Sequence, residues 1–304
     1  PIFITYFIVK NINEWRNWTN LYFGLSIVLF VATLLFGTTK KGSTNWLEIG
    51  RFSFQPTEII KLLLIFLIAS YYVNYDEYKE KKFGPYYLTG AVYLFIGFLF
   101  LQKDLGTVLI FYSIFIALQF IYEENRKLIF YNVLLFVVAG VAGFFLFDHV
   151  RIRFQIWLNP WEYIDNKGYQ ITQSLFAIAT GGFFGTGIGL GHPDFIPEVY
   201  TDFIFSAICE EMGIFAGIGV IMLFLILVYR GFKIAISQRD KFFRIVALGI
   251  SILFGIQSFI IFGGVLKLIP LTGITIPFVS YGGSSMLSSF IALGILQVAS
   301  EELD

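Results

Sequence analysis

The residues able to do chemistry are the carboxylates and cations that stand inside or at the ends of apolar stretches. Glu58 and Lys61 lie three apart in Gln55-Pro56-Thr57-Glu58-Ile59-Ile60-Lys61, a spacing that puts both on one face of a helix. They can form an internal ion pair that orients the helix, with Thr57 as its cap, or they can touch a substrate. Both readings stand. Asp104 lies in Lys103-Asp104-Leu105-Gly106-Thr107, a tight turn between two apolar runs. Capping of the second run leads there, since Asp is a favoured N-cap, and a cap is compatible with a site. Asp202 ends a long polar segment just before an apolar run, with Glu210 and Glu211 about two turns further on. It can cap that helix, or it can act as a general base at the membrane surface. Glu210 and Glu211 cannot both face lipid, so at least one points into protein. Arg151 and Arg153 can anchor to lipid headgroups, which is the leading reading, or grip phosphate with their planar forks.

Other patterns carry less. Gly181, Gly182, Gly185, Gly187, Gly189 and Gly191 never give the spacing of a dinucleotide fingerprint, and no Gly-Lys-Ser/Thr follows. They are expected to allow close backbone approach and unusual dihedrals. His149 and His192 have no His or Cys partner at ligand spacing, so no structural metal is expected. The stretch 270–285 holds two prolines and three glycines, which bars a continuous helix. Such backbone is tolerated at membrane depth only inside protein or beside a wet cavity, so this segment is expected to fold back into the protein.

The elements that position these residues are membrane spans. Of 304 residues, 57% are hydrophobic and 14% charged, against roughly 25% charged in a soluble domain. A soluble enzyme, a disulfide scaffold and a disordered chain are excluded. Lys plus Arg equals Asp plus Glu, at 21 each, so there is no basic footprint for nucleic acid. The single Cys, Cys209, has no internal partner. Spans of about 20 apolar residues are read at 20–37, 57–73, 85–102, 105–122, 127–147, 202–229, 243–266 and 283–299. A ninth piece, 1–9, is half a span, and the chain opens on Pro1, not Met. It is therefore expected to begin inside a helix of a longer protein.

Placing the 10–19 turn inside puts Lys79, Lys81, Lys82, Arg230, Lys233, Arg239, Lys241 and Arg244 on the inner face. Inner segments then carry Lys and Arg about three times as densely as the outer ones, which hold Lys41, Arg51, Lys103, Arg151 and Arg153 among others, as the positive-inside rule requires. Asp202 falls on the outer face. The outer segment 148–201 is long and rich in aromatic, Gly and charged residues, and its stretch 171–191 is too broken for a span. It is expected to be re-entrant or interfacial rather than a linker.

Five motifs occur together in a recognisable order: Gln55-Pro56-Thr57-Glu58-x-x-Lys61, Asp104-Leu105-Gly106-Thr107, Gly168-Tyr169-Gln170-x-x-Gln173-Ser174, Thr201-Asp202-Phe203-Ile204-Phe205 with Glu210-Glu211-x-Gly213, and Pro277-x-x-Ser280-Tyr281-Gly282-Gly283. In this combination the chain resembles the SEDS proteins (shape, elongation, division and sporulation), the group of RodA, FtsW and SpoVE. Two positions depart from the family's usual pattern: Lys103 stands where Pro is usual, and Thr57 where Ser is usual. The resemblance implies an all-α, polytopic transmembrane bundle of ten helices. About eight full spans and part of another are present here, in one integral-membrane domain over 1–304.

It also implies a peptidoglycan glycosyltransferase at the outer face of the bacterial cytoplasmic membrane, polymerising lipid II for cell elongation or division with loss of undecaprenyl diphosphate. Asp202 is then the catalytic residue. Glu58, Lys61, Asp104, Arg151, Arg153, Gln170, Gln173, Ser280 and Tyr281 are the candidate substrate contacts. A divalent cation such as Mg2+ is compatible with this chemistry, but no ligand cluster demands one. A class B penicillin-binding protein, the crosslinking transpeptidase, is the expected partner within an elongation or division complex. Two other readings are a lipid II flippase, compatible with the intramembrane charges, and a non-enzymatic scaffold that recruits the transpeptidase.

Overall fold

The computed structural model describes residues 1–11, 14–40, 43–50 and 52–301. Lys41, Arg51 and the tail 302–304 lie outside the described residues. The chain is almost wholly helical. After α1 (Ile2–Asn11) come α2 (Thr19–Phe36) and three short strands, β1 (Thr38–Lys40), β2 (Ser43–Ile49) and β3 (Phe52–Phe54). Then follow α3 (Pro56–Val73), α4 (Tyr75–Glu80), α5 (Gly84–Leu101), α6 (Leu105–Tyr122), α7 (Arg126–Leu146), α8 (Asp148–Leu158) and α9 (Tyr169–Gly181). The last three helices are α10 (Ile204–Ser237), α11 (Lys241–Val265) and α12 (Gly283–Glu301). Among the described residues, eight helices are long and apolar enough to cross a membrane: α2, α3, α5, α6, α7, α10, α11 and α12.

These helices start where local chemistry starts them. Pro56 takes the first position of α3, where a missing N–H costs nothing. Asp104, Asn125 and Asp240 each accept a backbone N–H from the first turn of the helix they precede, α6, α7 and α11 respectively. Thr57 does not cap α3, as it was expected to. It lies inside the first turn, buried, with its hydroxyl unpartnered among the described residues. α7 exposes Phe130, Leu134, Val137, Val138, Val141 and Phe145. An apolar face of that extent on a membrane-spanning helix suits contact with lipid.

Three features go beyond the sequence expectation. The outer segment 38–54 is a three-stranded antiparallel sheet, with Leu47 opposite Phe54 and Thr38 opposite Trp46. The segment 148–201, expected to be re-entrant or interfacial, contains the helices α8 and α9. Helix α10 continues to Ser237, past the expected end at 229, because Arg230 and Lys233 can reach the interface from within a helix.

The chain divides into two compact units. The first holds Pro1–Glu124, Leu227–Phe254 and Gly282–Asp304; the second holds Asn125–Ile226 and Gly255–Tyr281. In the second unit the non-helical stretch after α11 is half-buried over most of its length: Ile276 and Ser280 are almost inaccessible, and Ile276 joins a core with Val199, Phe203, Phe205 and Val265. The expectation that this stretch folds back into protein is met.

Candidate functional site

In the second unit, three segments distant in sequence meet around Asp202. The first is the turn 199–203 that leads into α10. Phe203 stands next to the helix's first residue, so Asp202 lies one position before the cap site, half-buried. The second is α8, whose Arg153 donates from Nη1 to the Thr272 carbonyl at 2.8 Å. The third is the stretch 266–281. Gly273 lies close to both charges: a β-carbon built there would stand 3.6 Å from Asp202 Oδ2 and 3.9 Å from Arg153 Nη2. Its φ of +75° suits glycine. A carboxylate and a guanidinium thus both approach one backbone position.

The last motif holds this arrangement together. The Ser280 hydroxyl donates to the Thr201 carbonyl at 2.6 Å and accepts the Ile276 N–H at 2.8 Å. The Tyr281 N–H donates to the Tyr200 carbonyl at 2.7 Å, while the Tyr281 side chain is exposed. Ser280 and Tyr281 therefore grip the two residues before Asp202. Behind α8, the Trp157 indole N–H donates to the Lys267 carbonyl at 3.0 Å, which fixes α8 to the same stretch.

Arg151 and Arg153 are separated. They lie two apart on α8, so they point to different sides, and Arg151 pairs with Asp148 at 2.6 Å on the exposed surface. Gln170 donates to the Pro197 carbonyl at 3.2 Å, tying α9 to the segment before Asp202. Gln173 is half-buried one turn further along α9, beside Ser174, whose hydroxyl meets that of Ser206 on α10 at 2.6 Å.

The glycine series does backbone work. Gly185 has φ +83°, and a β-carbon there would lie 2.2 Å from the Glu211 carbonyl oxygen. Gly213, at φ +81°, kinks α10 at the same contact, and a β-carbon on it would stand 2.2 Å from the Phe183 carbonyl oxygen. Glu210 is the inward-facing member of its pair: it is buried and accepts the His192 N–H at 3.0 Å.

Glu58, Lys61 and Asp104 belong to the first unit. Lys61 Nζ lies 2.9 Å from Glu58 Oε1, both side chains are buried, and Ser288 of α12 donates to Glu58 Oε2 at 2.6 Å. Of the two readings open for this pair, the geometry supports the internal one. Asp104 accepts the Thr107 N–H at 3.1 Å, and its other oxygen accepts from Asn45 of β2 at 2.8 Å and from Gln55 at 3.5 Å. Lys103, in the turn before it, has φ +59°. A proline cannot take that value, so this turn is closed in a way that a Pro at this position could not copy.

Sequence reasoning passed over Thr272, Gly273, Ser288 and Asn45. Each acts on a residue far away in the chain, and no local pattern marks it. Among the described residues no three His, Cys, Asp or Glu side chains gather where they could hold a metal ion.

The chain matches known proteins along its whole length. The profile of the FtsW, RodA and SpoVE family, described as cell cycle protein, covers residues 2–304. Peptidoglycan glycosyltransferase RodA of Mycobacterium tuberculosis H37Rv is 38% identical over 271 residues, which are 84% of this chain and 57% of that protein. Stage V sporulation protein E of Bacillus subtilis is 36% identical over 302 residues, 96% of this chain and 82% of that protein. The chain thus spans little more than half the length of its mycobacterial relatives. Among solved structures, one chain of a peptidoglycan synthase complex that coordinates polymerization and crosslinking matches with a TM-score of 0.78 at 24% identity, covering 99% of this chain and 87% of its own. The rod shape determining protein RodA of Thermus thermophilus matches with a TM-score of 0.69 at 23% identity, covering 99% and 84%.

Proposed function

The chain belongs to the FtsW/RodA/SpoVE family of multi-pass membrane proteins, and from that premise we propose that it is a peptidoglycan glycosyltransferase of the bacterial cytoplasmic membrane. Its substrate is lipid II, its product a glycan strand, and its setting cell elongation or division. The observation that carries the reading is the convergence of Asp202 and Arg153 on Gly273.

The chemistry follows from that pair. The acceptor sugar's hydroxyl attacks the anomeric carbon of the donor sugar. The bond from that carbon to the lipid diphosphate breaks, and the diphosphate leaves with the bonding electrons. Asp202 takes the hydroxyl proton as the new bond forms. Arg153 meets the charge that develops on the diphosphate, where a planar guanidinium can offer two donors at once. Ser280 and the Tyr281 backbone hold the turn that presents Asp202. Gln170 and Gln173 of α9, with the exposed Tyr281 ring, offer neutral contacts to the sugars. Arg151 is paired with Asp148 and Asp104 is taken up by Thr107, Asn45 and Gln55, so both contribute less. The positive-inside orientation puts Asp202 at the outer face, where a polymerase needs it.

A partner is part of the proposal. Curated relatives are named glycosyltransferases, and a structural relative works in a complex that joins polymerization to crosslinking. A class B penicillin-binding protein fits that second role. The transporter reading needs intramembrane charges free to engage cargo, whereas Glu58 and Lys61 already satisfy each other.

The test is polymerisation of labelled lipid II by the full-length protein with its transpeptidase partner. Asp202→Ala is expected to abolish polymer while the wild type makes it. Polymer made equally by both would overturn the role of Asp202. No polymer from a folded wild-type complex would overturn the enzyme reading.

A further inference from the structure

We propose that the inner-leaflet end of the first unit binds an anionic glycerophospholipid, in a groove between the C-terminal segments of α10 and α12. The groove is a cavity of about 520 Å³. Leu227, Ile234, Leu293 and Leu296 give it an apolar wall, and Arg230 and Lys233 are its cations. Both helices run from the outer to the inner face under the orientation argued above. The leucines at 227 and 293 are therefore the deeper level, and Ser237 and Ser300, which also line it, are the inner mouth. Along α10 the distance from 227 to 237 is about 15 Å, enough for a headgroup and the first part of an acyl chain.

The charge pattern selects the ligand. On the inner face Lys10, Arg16, Lys79 and Lys81 are each paired with a carboxylate. Among the described residues neither Arg230 nor Lys233 has such a partner, and both are exposed. The neighbouring Glu301 is already engaged by Tyr6 at 2.5 Å and Lys10 at 3.2 Å. Compensation of the helix dipole does not account for the two cations, because that effect is confined to the last turn and neither lies in the last turn of α10. Two unpaired cations beside an apolar wall at the inner interface match a phosphodiester on acyl chains.

The groove is also built before any ligand arrives. Gln238 Nε2 donates to the Ala299 carbonyl at 2.6 Å and ties the two helix ends together. Gly231 lets α10 press on α11, since a β-carbon there would stand 2.1 Å from Ser251 Oγ.

Native mass spectrometry of the full-length protein, titrated with dioctanoyl phosphatidylglycerol, tests this. Arg230→Gln/Lys233→Gln is expected to weaken binding by on the order of tenfold or more. Lys79→Gln/Lys81→Gln, which removes two paired inner cations, is expected to leave it unchanged, and so is Arg230→Lys within about threefold. Dioctanoyl phosphatidylcholine is expected to bind weakly to every form. Unchanged binding in the Arg230/Lys233 variant, or an equal loss in the Lys79/Lys81 variant, would overturn the site. Displacement of the lipid by free glycerol phosphate at the same concentration would show that phosphate alone is recognised, and would overturn the lipid assignment. A loss of binding in Arg230→Lys equal to that of the double variant would overturn recognition by charge.

Discussion

Glu58 with Lys61 and Asp202 with Arg153 each set a carboxylate beside a cation, and the two are built in opposite ways. Glu58 and Lys61 sit on one helix, three residues apart and 2.9 Å from each other, both buried, with Ser288 filling the second carboxylate oxygen. Both charges are met inside the protein. Asp202 and Arg153 come from different segments, both approach Gly273, and remain half-buried and exposed respectively. Ser280 anchors the Thr201 carbonyl next to Asp202, and the Thr272 carbonyl accepts from Arg153. A buried, self-satisfied pair is a structural fixture whose loss leaves an uncompensated charge. An accessible pair held by its surroundings can spend its charge on a reacting molecule.

Matched substitutions are the sharpest way to break this contrast. Asp202→Asn keeps size and polarity but cannot accept a proton, so glycan polymerisation is expected to fall about 10²- to 10⁴-fold while the thermal midpoint in detergent stays put. Glu58→Ala should do the reverse in kind. It strands Lys61 in a buried site, and a loss of about 3–5 kcal/mol in unfolding measurements is expected. Adding Lys61→Met to Glu58→Ala should recover much of that loss, because no charge then remains buried. If Asp202→Asn destabilised the protein as much as Glu58→Ala does, the two pairs would not differ in kind. Arg153→Lys comes next: it keeps the charge and loses the planar fork, and an activity loss of about tenfold with an unchanged midpoint is expected.

The sequence made one of these pairs easy to see and the other hard. Glu58 and Lys61 share a helix turn, so their spacing alone predicts the contact. All eight spans were legible for a similar reason, since a run of 18 or more apolar residues has few other fates. Asp202, Arg153 and Gly273 have no common local pattern; the place of Asp202 before an apolar run drew attention to it, and Gly273 counted only as one of three helix-breaking glycines. Arg151 and Arg153 read as one basic pair because 148–158 mixes aromatic and charged residues and did not read as a helix. Once it is one, two residues apart means two different sides. The small sheet at 38–54 was missed because β1 and β3 are only three residues each, and its strand formers Trp46, Leu47, Phe52 and Phe54 lie in a short segment between two spans that read only as an outer loop. Ser288 reaches Glu58 across 230 positions, a distance at which no spacing argument works.

Ser280 tests whether the frame around Asp202 is as firm as the geometry indicates. Ser280→Ala leaves the Thr201 carbonyl and the Ile276 N–H without their partner, and each buried orphan costs on the order of 1–3 kcal/mol. Part of that cost is expected in stability. The turn before Asp202 should also loosen, so kcat should fall about tenfold with KM little changed. A fall in stability with kcat intact would mean that Ser280 supports the fold and not the placement of Asp202.

Asp104 gives the smallest effect, and it decides between cap and contact. One of its oxygens accepts the Thr107 N–H and the other is taken by Asn45 and Gln55, so no lone carboxylate face is left to explain. Asp104→Ala is expected to cost about 1 kcal/mol, the usual value of an N-cap, and Asp104→Asn less, since the amide oxygen can still accept from Thr107. Polymerisation should fall only as far as the folded fraction does. An activity loss in Asp104→Asn well beyond its stability loss would make the carboxylate itself a contact with substrate.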